Sequence, residues 1–439
     1  MKNQNNLVYV VGAGISGLAC AQYLKKYGVD VVVLEARDRL GGRIHSIESQ
    51  HMIFDLGASW IHGIQYNPIW DLAQKNNIQT EVYNYDKIDY FHEDGSRFSD
   101  EELIEFEKNL KSINGRFKDQ SFVHSSNQSA LDVFDEIVKS IDLSTDYFSK
   151  DQHIKKLRDY FFSLANDPFA TDINQLAHNF MQFEGYFEGD EVVFPNGYQQ
   201  VIDVLSEGLD CRLNIEVTEI INNDSSIQIR SACGQTFDST QVVVSVPLGV
   251  LKNSHIQFIP PLNHELQHSI ENIGFGSFNK VFIELDRALT FKGTYFKENF
   301  VFFWRNEHLY SLLDFSHIYH KPVYLLFFGG CRSEWLDQAN DSEVMEHVKS
   351  ILDLNTQNSN ANILQFQITR WGSDPFAKGS FSYPAIGHNE AWVDQFTNSH
   401  PKNVYFAGEH CHSKYAGTVH GAYLSGIETA RRILMMQNQ

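Results

Sequence analysis

A strand–turn–helix–strand unit with a glycine turn near the N-terminus, three later apolar segments of the same kind, and two long mixed blocks between them predict an α/β fold. In that fold a discontinuous, Rossmann-like dinucleotide-binding domain is interleaved with an α+β domain. Length agrees, because 439 residues exceed what one compact core organises. The predicted nucleotide domain takes residues 1–75, 195–250 and 395–439, and the second domain takes 76–194 and 251–394.

Leu7–Val11 is an apolar run suited to a parallel strand covered on both faces. Gly12, Gly14 and Gly17 follow as G-x-G-x-x-G. Gly12 permits the tight turn, Gly14 lets backbone approach a pyrophosphate, and Gly17 lets the helix expected over Ile15–Tyr27 pack close to the strand. Unpaired N–H groups and the dipole favour an anion at that helix N-terminus. A second strand at Val29–Leu34 ends in Glu35, whose carboxylate suits ribose hydroxyls and disfavours a 2′-phosphate, which argues against NADP. A lone glycine turn occurs in many α/β proteins; the strand, helix, second strand and acid in sequence make this one a dinucleotide site. Arg37 and Arg43 flank Gly41 and Gly42, placing cations and bare backbone where the far end of a pyrophosphate emerges.

Downstream, Pro195–Asp210 reads as a turn and helix with Val201, Val204, Leu205 and Leu209 at helical spacing. Strands are expected near Leu213–Val217 and over Gln241–Val246, the latter ended by Pro247-Leu248-Gly249. Asn403–Gly408 reads as a short strand and Gly417–Leu434 as a helix. The intervening blocks supply helices such as Glu101–Ser112 and Ala130–Ile141 and strands such as Lys280–Leu285 and Tyr324–Phe328. Such alternation puts the site at the seam between the two parts.

Aromatic residues make up 13% of the chain, which suits an aromatic-rich interior or pocket. With 35 basic and 55 acidic residues the net charge is −20, which opposes nucleic acid and anionic membranes; it either concentrates cationic substrates or serves solubility. Five cysteines lie far apart without a C-x-x-C, predicting reduced thiols in a cytoplasmic setting. No apolar stretch approaches the roughly 20 residues of a membrane span, and MKNQNN leaves no room for a signal peptide. Neither a metal-ligand cluster nor a nucleophile–base triad is expected.

Four segments carry a family resemblance. E-A-R-D-R-L-G-G-R, residues 35–43, resembles the second glycine motif of FAD-dependent amine oxidases. Pro401–Leu434 resembles the C-terminal FAD-binding segment of polyamine oxidases and lysine-specific histone demethylases. The resemblance implies that Gly408 and Glu409 contact the ribityl and pyrophosphate portion, that Val217 is a further cofactor contact, and that Thr418 and Val419 sit at a helix N-terminus facing the flavin pyrimidine ring. Such a terminus stabilises the negative charge of reduced flavin near N1 and O2. Gly417, Gly421 and Gly426 also suit plain helix packing.

Phe54–Asp71 resembles a segment of spermine oxidases and acetylpolyamine oxidases, implying that His62 and Trp60 belong to the substrate tunnel; a histidine there hydrogen-bonds an amine or influences its protonation. Gly276–Asp286 resembles a strand whose lysine, here Lys280, holds a water against flavin N5; alternation alone leaves that residue either on a solvated face or in a buried site. Arg370–Tyr383 resembles the stretch in which a tryptophan, here Trp371, packs near the isoalloxazine and an aromatic, here Phe381, walls the amine cage. Ser380 stands where monoamine oxidases carry a flavin-linked cysteine, implying noncovalent FAD. Thr418 replaces the second-wall tyrosine of some relatives, so that wall is missing or supplied by Tyr415.

Glu184, Glu188, Asp190 and Glu191 alternate with aromatics and suit either a tunnel that reads ammonium groups or an acidic surface loop. The expected function is oxidation of an amine, spermine or spermidine above all: hydride transfer to flavin N5, imine hydrolysis to an aldehyde and an amine, and reoxidation by O2 with release of H2O2. Rival readings are an L-amino-acid or monoamine oxidase, a histone-lysine demethylase, and a non-catalytic FAD-binding protein. For the demethylase the sequence offers no long helical insertion, and −20 repels DNA. The oligomeric state is not legible.

Overall fold

The computed structural model describes residues 7–119, 127–183, 185, 187–223, 225–354, 361–398 and 401–437. Five parallel strands form one sheet in the order Val404–Phe406, Gln241–Val244, Leu7–Val11, Asp30–Leu34 and Asp210–Arg212. Leu7–Val11 occupies the middle because it is apolar on both faces. Val8 and Val10 enter a core shared with the helices Ile15–Lys26 and Val419–Gln437, and Tyr9 and Val11 enter the core on the other side. The chain leaves this central strand toward one edge and returns later on the opposite flank. A crevice therefore opens past its C-terminal end, where ligands bind open α/β sheets.

Two departures in this layer have local causes. The strand expected at Leu213–Val217 ends instead at Arg212; Asn214 takes a left-handed conformation (φ +57°), and Val217 opens a different strand, Val217–Asn222, in a four-stranded sheet. Pro247 does not simply terminate the run before it, since its fixed φ of −57° starts the short helix Leu248–Lys252. Gln257–Ile259 pairs with Val217–Asn222, and Leu266 and Ile270 of the helix His264–Asn272 pack under the parallel sheet.

A second sheet has six strands in the order Ile363–Ile368, Phe278–Leu285, Val323–Gly329, His308–Asp314, Phe300–Arg305 and Ile88–Phe91, antiparallel except for the last pair. Period-two alternation sorts its side chains. Val281, Ile283 and Leu285 pack with the helices Gly330–Gln338 and Asp341–Ile351, while Phe282 points the other way against Phe54 and Trp60. Lys280, two residues before Phe282, shares that second face.

Three helices, Asp100–Phe117, Ala130–Ser140 and Lys150–Phe169, close the compartment beside this sheet through a core rich in phenylalanine. Each starts at a serine capping box: Ser99 with Glu102, Ser129 with Asp132, Ser149 with Gln152. The first of them runs on to Phe117, past the expected Ser112, because Ile113 and Phe117 continue its buried stripe. No helix among the described residues is long and apolar enough to cross a membrane.

Candidate active site

The glycine turn does three different jobs. Gly12 has φ +104°, a region that L side chains rarely adopt, and an added Cβ there meets Ser245 Oγ at 2.9 Å. Gly17 is enclosed by the Gly12 carbonyl oxygen and Ser245 Oγ, so the first helix lies directly on the strand end. Gly14 faces open space, with nothing within 4 Å of an added Cβ, at the head of the helix Ile15–Lys26. Gly42 closes the opposite side, its own nearest neighbour being Gly14 Cα at 3.3 Å. Two stretches of bare backbone thus face each other.

Glu35 is buried and locked: the Ala13 N–H donates to Oε2 at 2.7 Å and the Arg37 N–H to Oε1 at 3.0 Å. Each carboxylate oxygen retains a second lone pair for a ligand hydroxyl. Arg37 lines the same cavity, but its guanidinium grips Asp374 with two hydrogen bonds, of 3.0 and 2.6 Å, and lies over Phe376. Its charge is largely neutralised, a departure from the cationic role expected of it. Arg43 donates to the Ser380 carbonyl at 2.7 Å and to Glu409 Oε1 at 2.8 Å. Burial opposes ionisation of Glu409, but Arg43 and the Ser382 hydroxyl outweigh it and hold the carboxyl below its usual range. The Gly417 N–H adds a bond of 2.8 Å, tying this acid to the turn that precedes the last helix. Thr418 caps that helix, its hydroxyl accepting from the Gly421 N–H at 2.9 Å and donating to the Tyr415 carbonyl.

One cavity of about 730 Å³ connects these groups with the six-stranded sheet. Gly12, Gly14, Glu35, Arg37, Gly42, Arg43, Val217, Trp371, Gly408, Glu409, Thr418 and Val419 line it, and so do Trp60, His62, Lys280, Phe381 and Tyr415. Gly17 stands behind the turn.

Lys280 is 5% exposed, and of its two sequence-compatible settings it has the buried one. Its Nζ donates to the carbonyls of Asp55 and Gly57 at 3.2 and 2.5 Å and to Ser59 Oγ at 2.6 Å, and it lies 5.6 Å from the Trp60 ring centre. Burial pushes its pKa down to about 7, against the pull of Asp55, so the neutral amine is within reach near pH 7. Trp371 is fixed by its indole N–H, which donates to the Leu56 carbonyl at 3.0 Å. Ser380 has a structural duty: its hydroxyl accepts from the Phe278 N–H and donates to the Phe278 carbonyl.

His62 sits half exposed in the cavity lining, with Nδ1 2.7 Å from Glu191 Oε2 and 3.1 Å from the Tyr85 hydroxyl. Among the described members of the acidic stretch, Glu191 is therefore the one that reaches the site, through His62. Glu188 and Asp190 are exposed, and Asp190 accepts from Asn84. Glu184 lies outside the described residues. Tyr415, in the cavity wall, is backed by Phe187, on which it stacks at 4.9 Å and 18°.

Several further lining groups carried no signal in the sequence. His410 and His420 are buried, burial holds them neutral at about 4 and about 3, and His410 Nδ1 and Nε2 and His420 Nε2 have no protein partner. Trp60 Nε1 is a fourth such atom. Orphaned buried polar atoms along one cavity are what a bound group with its own donors and acceptors satisfies. With the open space before Gly14 and the carboxylate of Glu35, they fit a dinucleotide.

One cavity thus joins the glycine turn to a buried lysine and an aromatic wall. The sequence model of the family described as flavin containing amine oxidoreductase matches residues 15–434, and the chain belongs to that family. Among its relatives, Polyamine oxidase 4 of Oryza sativa subsp. japonica is 29% identical over 98% of this chain and 90% of its own length. Polyamine oxidase 2 of Arabidopsis thaliana is 28% identical over 98% of this chain and 88% of its own. Lysine-specific histone demethylase 1 homolog 3 of Oryza sativa subsp. indica is 27% identical over 99% of this chain, which spans 55% of that protein.

Proposed function

We propose that this amine oxidoreductase holds FAD noncovalently in the long cavity and oxidises a polyamine such as spermine or spermidine. The single observation that carries the reading is the continuity of the cavity from Gly14 and Glu35 to Lys280 and Trp371. FAD held there would supply the hydride acceptor at N5 and the route by which the electron pair reaches O2 to give H2O2.

In this reading Gly12, Gly14 and Gly17 form the pyrophosphate turn, Glu35 holds the ribose, and Gly42 with Arg43 faces the pyrophosphate from across the crevice. Arg37 acts by pinning the second glycine loop to Asp374. Val217, Gly408, Glu409, Thr418 and Val419 would complete the cofactor wall, and the capped helix N-terminus would offset negative charge on the reduced flavin ring. The division into a nucleotide domain and a substrate domain is supported by strand origin. The parallel sheet draws its strands from 7–11, 30–34, 210–212, 241–244 and 404–406, and the six-stranded sheet draws its strands from 88–91 and 278–368.

The reacting nitrogen must be neutral for its lone pair to assist loss of hydride from the adjacent carbon. An aromatic compartment with Trp60, Phe381 and Tyr415 in its wall disfavours the ammonium form and excludes water. Lys280 is the proton acceptor and water holder on the cofactor side. Of its three partners only the Ser59 hydroxyl can turn from acceptor to donor, so Nζ keeps its seat in both protonation states. His62 and Glu191 form the outer amine-binding pair at the mouth. The imine product hydrolyses to an aldehyde and an amine. The test is product analysis: wild-type protein with spermine or spermidine in air is expected to yield H2O2 and an aldehyde in equal amounts, and no peroxide with any amine overturns the proposal.

A further inference from the structure

Beyond Lys280 the cavity continues into a compartment walled by Tyr160, Leu164 and Phe169 of the helix Lys150–Phe169 and by Phe300, Phe302 and Phe327 of the six-stranded sheet. A carboxylate, Asp167, stands in this apolar wall. Four described acids line the cavity as a whole, and three are already engaged. Glu409 pairs with Arg43, Glu216 lies 2.9 Å from His255, and Glu35 takes a backbone N–H on each oxygen.

Asp167 differs from these. The hydroxyls of Ser311 and Ser163 donate to it at 2.8 and 3.3 Å, and both bonds go to Oδ2. Among the described residues no cationic nitrogen comes within 4.0 Å of it. The Arg332 charge reaches it only at longer range, that guanidinium being committed to the Leu309 carbonyl and the Tyr310 ring. Burial raises the Asp167 pKa to about 6, which still leaves it ionised above neutrality. A carboxylate kept among aromatic rings without a cation is costly until a cation arrives.

Its position relative to Lys280 follows from strand register. Lys280 pairs with Phe327, Phe302 pairs with Ser311, and continuing the Leu312–Leu326 pairing by one residue sets Ser311 opposite Phe327. Lys280, Phe327, Ser311 and Phe302 therefore form one row across four neighbouring strands. Ser311, which holds Asp167, lies two strand spacings from Lys280, roughly 10 Å.

We infer that Asp167 binds the second ammonium group of a substrate bearing two or more amino groups on a flexible methylene chain, while the reacting amine lies beside Lys280. Oδ1 is the acceptor, Ser163 and Ser311 fix the carboxylate through Oδ2, and the surrounding rings enclose the methylenes and face the cation. The inference rests on the reading of this cavity as an amine-oxidising site. It moves the selection for a polyamine from the exposed 188–190 stretch to the inner wall.

The test uses flavin-loaded protein with spermidine and with hexylamine, which has a chain of methylenes but one nitrogen. Asp167→Asn keeps the shape and removes the charge. The kcat/KM preference for spermidine over hexylamine is expected to fall roughly 10- to 100-fold, the scale of one charge-assisted hydrogen bond. The loss is expected in KM rather than in the limiting rate of flavin reduction. Ser311→Ala is expected to lower the same preference by a smaller factor, and Asp167→Glu to restore part of it. An unchanged preference in Asp167→Asn and Ser311→Ala overturns the inference while amine oxidation stands. Wild-type protein that favours hexylamine does the same, and wild-type protein that oxidises neither amine overturns the functional reading and this inference together.

Discussion

Replacing Gly14 and Gly17 by alanine separates a glycine kept for a ligand from a glycine kept for the fold. At Gly14 the backbone, with φ −71° and ψ 171°, suits any residue, and an added Cβ has no neighbour within 4 Å. Gly14→Ala is therefore expected to leave the unfolding free energy of the flavin-free protein within about 0.5 kcal/mol of wild type, or to raise it slightly by narrowing the unfolded ensemble. The same methyl group occupies the space through which a pyrophosphate approaches the helix N-terminus. Overpacking of that kind costs about 1–3 kcal/mol, or roughly 5- to 150-fold in FAD affinity. At Gly17 the balance reverses, because an added Cβ collides with the Gly12 carbonyl oxygen and Ser245 Oγ and comes within 3.1 Å of Val10 Cγ1. Helix and strand must separate, so the cost of about 1–3 kcal/mol falls on folding itself. Urea unfolding of the flavin-free proteins followed by circular dichroism, and FAD titration followed by flavin fluorescence, measure the two quantities. Wild-type FAD affinity in Gly14→Ala, or a loss of stability in it equal to that of Gly17→Ala, refutes the reasoning.

Four further outcomes are expected. Acid precipitation should release intact FAD into the supernatant, since Ser380 is a hydroxyl bonded to the Phe278 backbone; flavin retained in the pellet contradicts this. Lys280→Met should keep FAD bound but slow flavin reduction or reoxidation by about 100-fold, the scale of one positioned proton-transfer group, as read by rapid-mixing absorbance. The same substitution should also alter the pH dependence of stability. Between a folded pKa of about 7 and an unfolded one near 10.5 the unfolded chain binds the extra proton, so wild type gains on Lys280→Met by up to about 1.4 kcal/mol per pH unit as pH rises through that window; parallel urea curves at pH 7 and pH 9.5 contradict it. Glu191→Gln should raise KM for a polyamine by less than about 5-fold and lose even that effect in 1 M salt, because its partner His62 is half exposed; a large, salt-resistant rise contradicts a screened pair.

The N-terminal unit was the most legible part of the chain because its signals are local. Leu7–Val11, Gly12, Gly14, Gly17 and Glu35 lie within 29 consecutive residues, and each states its own backbone or charge requirement. Signals that depend on distant partners were not readable. The partner that neutralises Arg37, Asp374, is 337 residues away. Strand alternation gave Lys280 two settings, and the choice was made by carbonyls at Asp55 and Gly57 brought in from another sheet.

The Leu213–Val217 strand failed for a small reason, an asparagine in a left-handed conformation in the middle of an otherwise plausible run. Helix length past Ser112 was in the sequence, in the Ser99–Glu102 capping box and in the buried stripe through Ile113 and Phe117. Asp167 shows the opposite case. Within N-D-P-F it reads as a helix end, and only the packing of that helix on the strand carrying Ser311 turns it toward the cavity.

The central claim, that amine oxidation takes place on a flavin held in this cavity, meets its most direct test in anaerobic mixing of the purified flavin-loaded protein with spermidine while the visible flavin absorbance is followed. The account predicts bleaching of the whole flavin population and its return when O2 is admitted, with one H2O2 formed for each flavin reoxidised. Flavin that stays oxidised with spermidine, spermine and monoamines alike would contradict it.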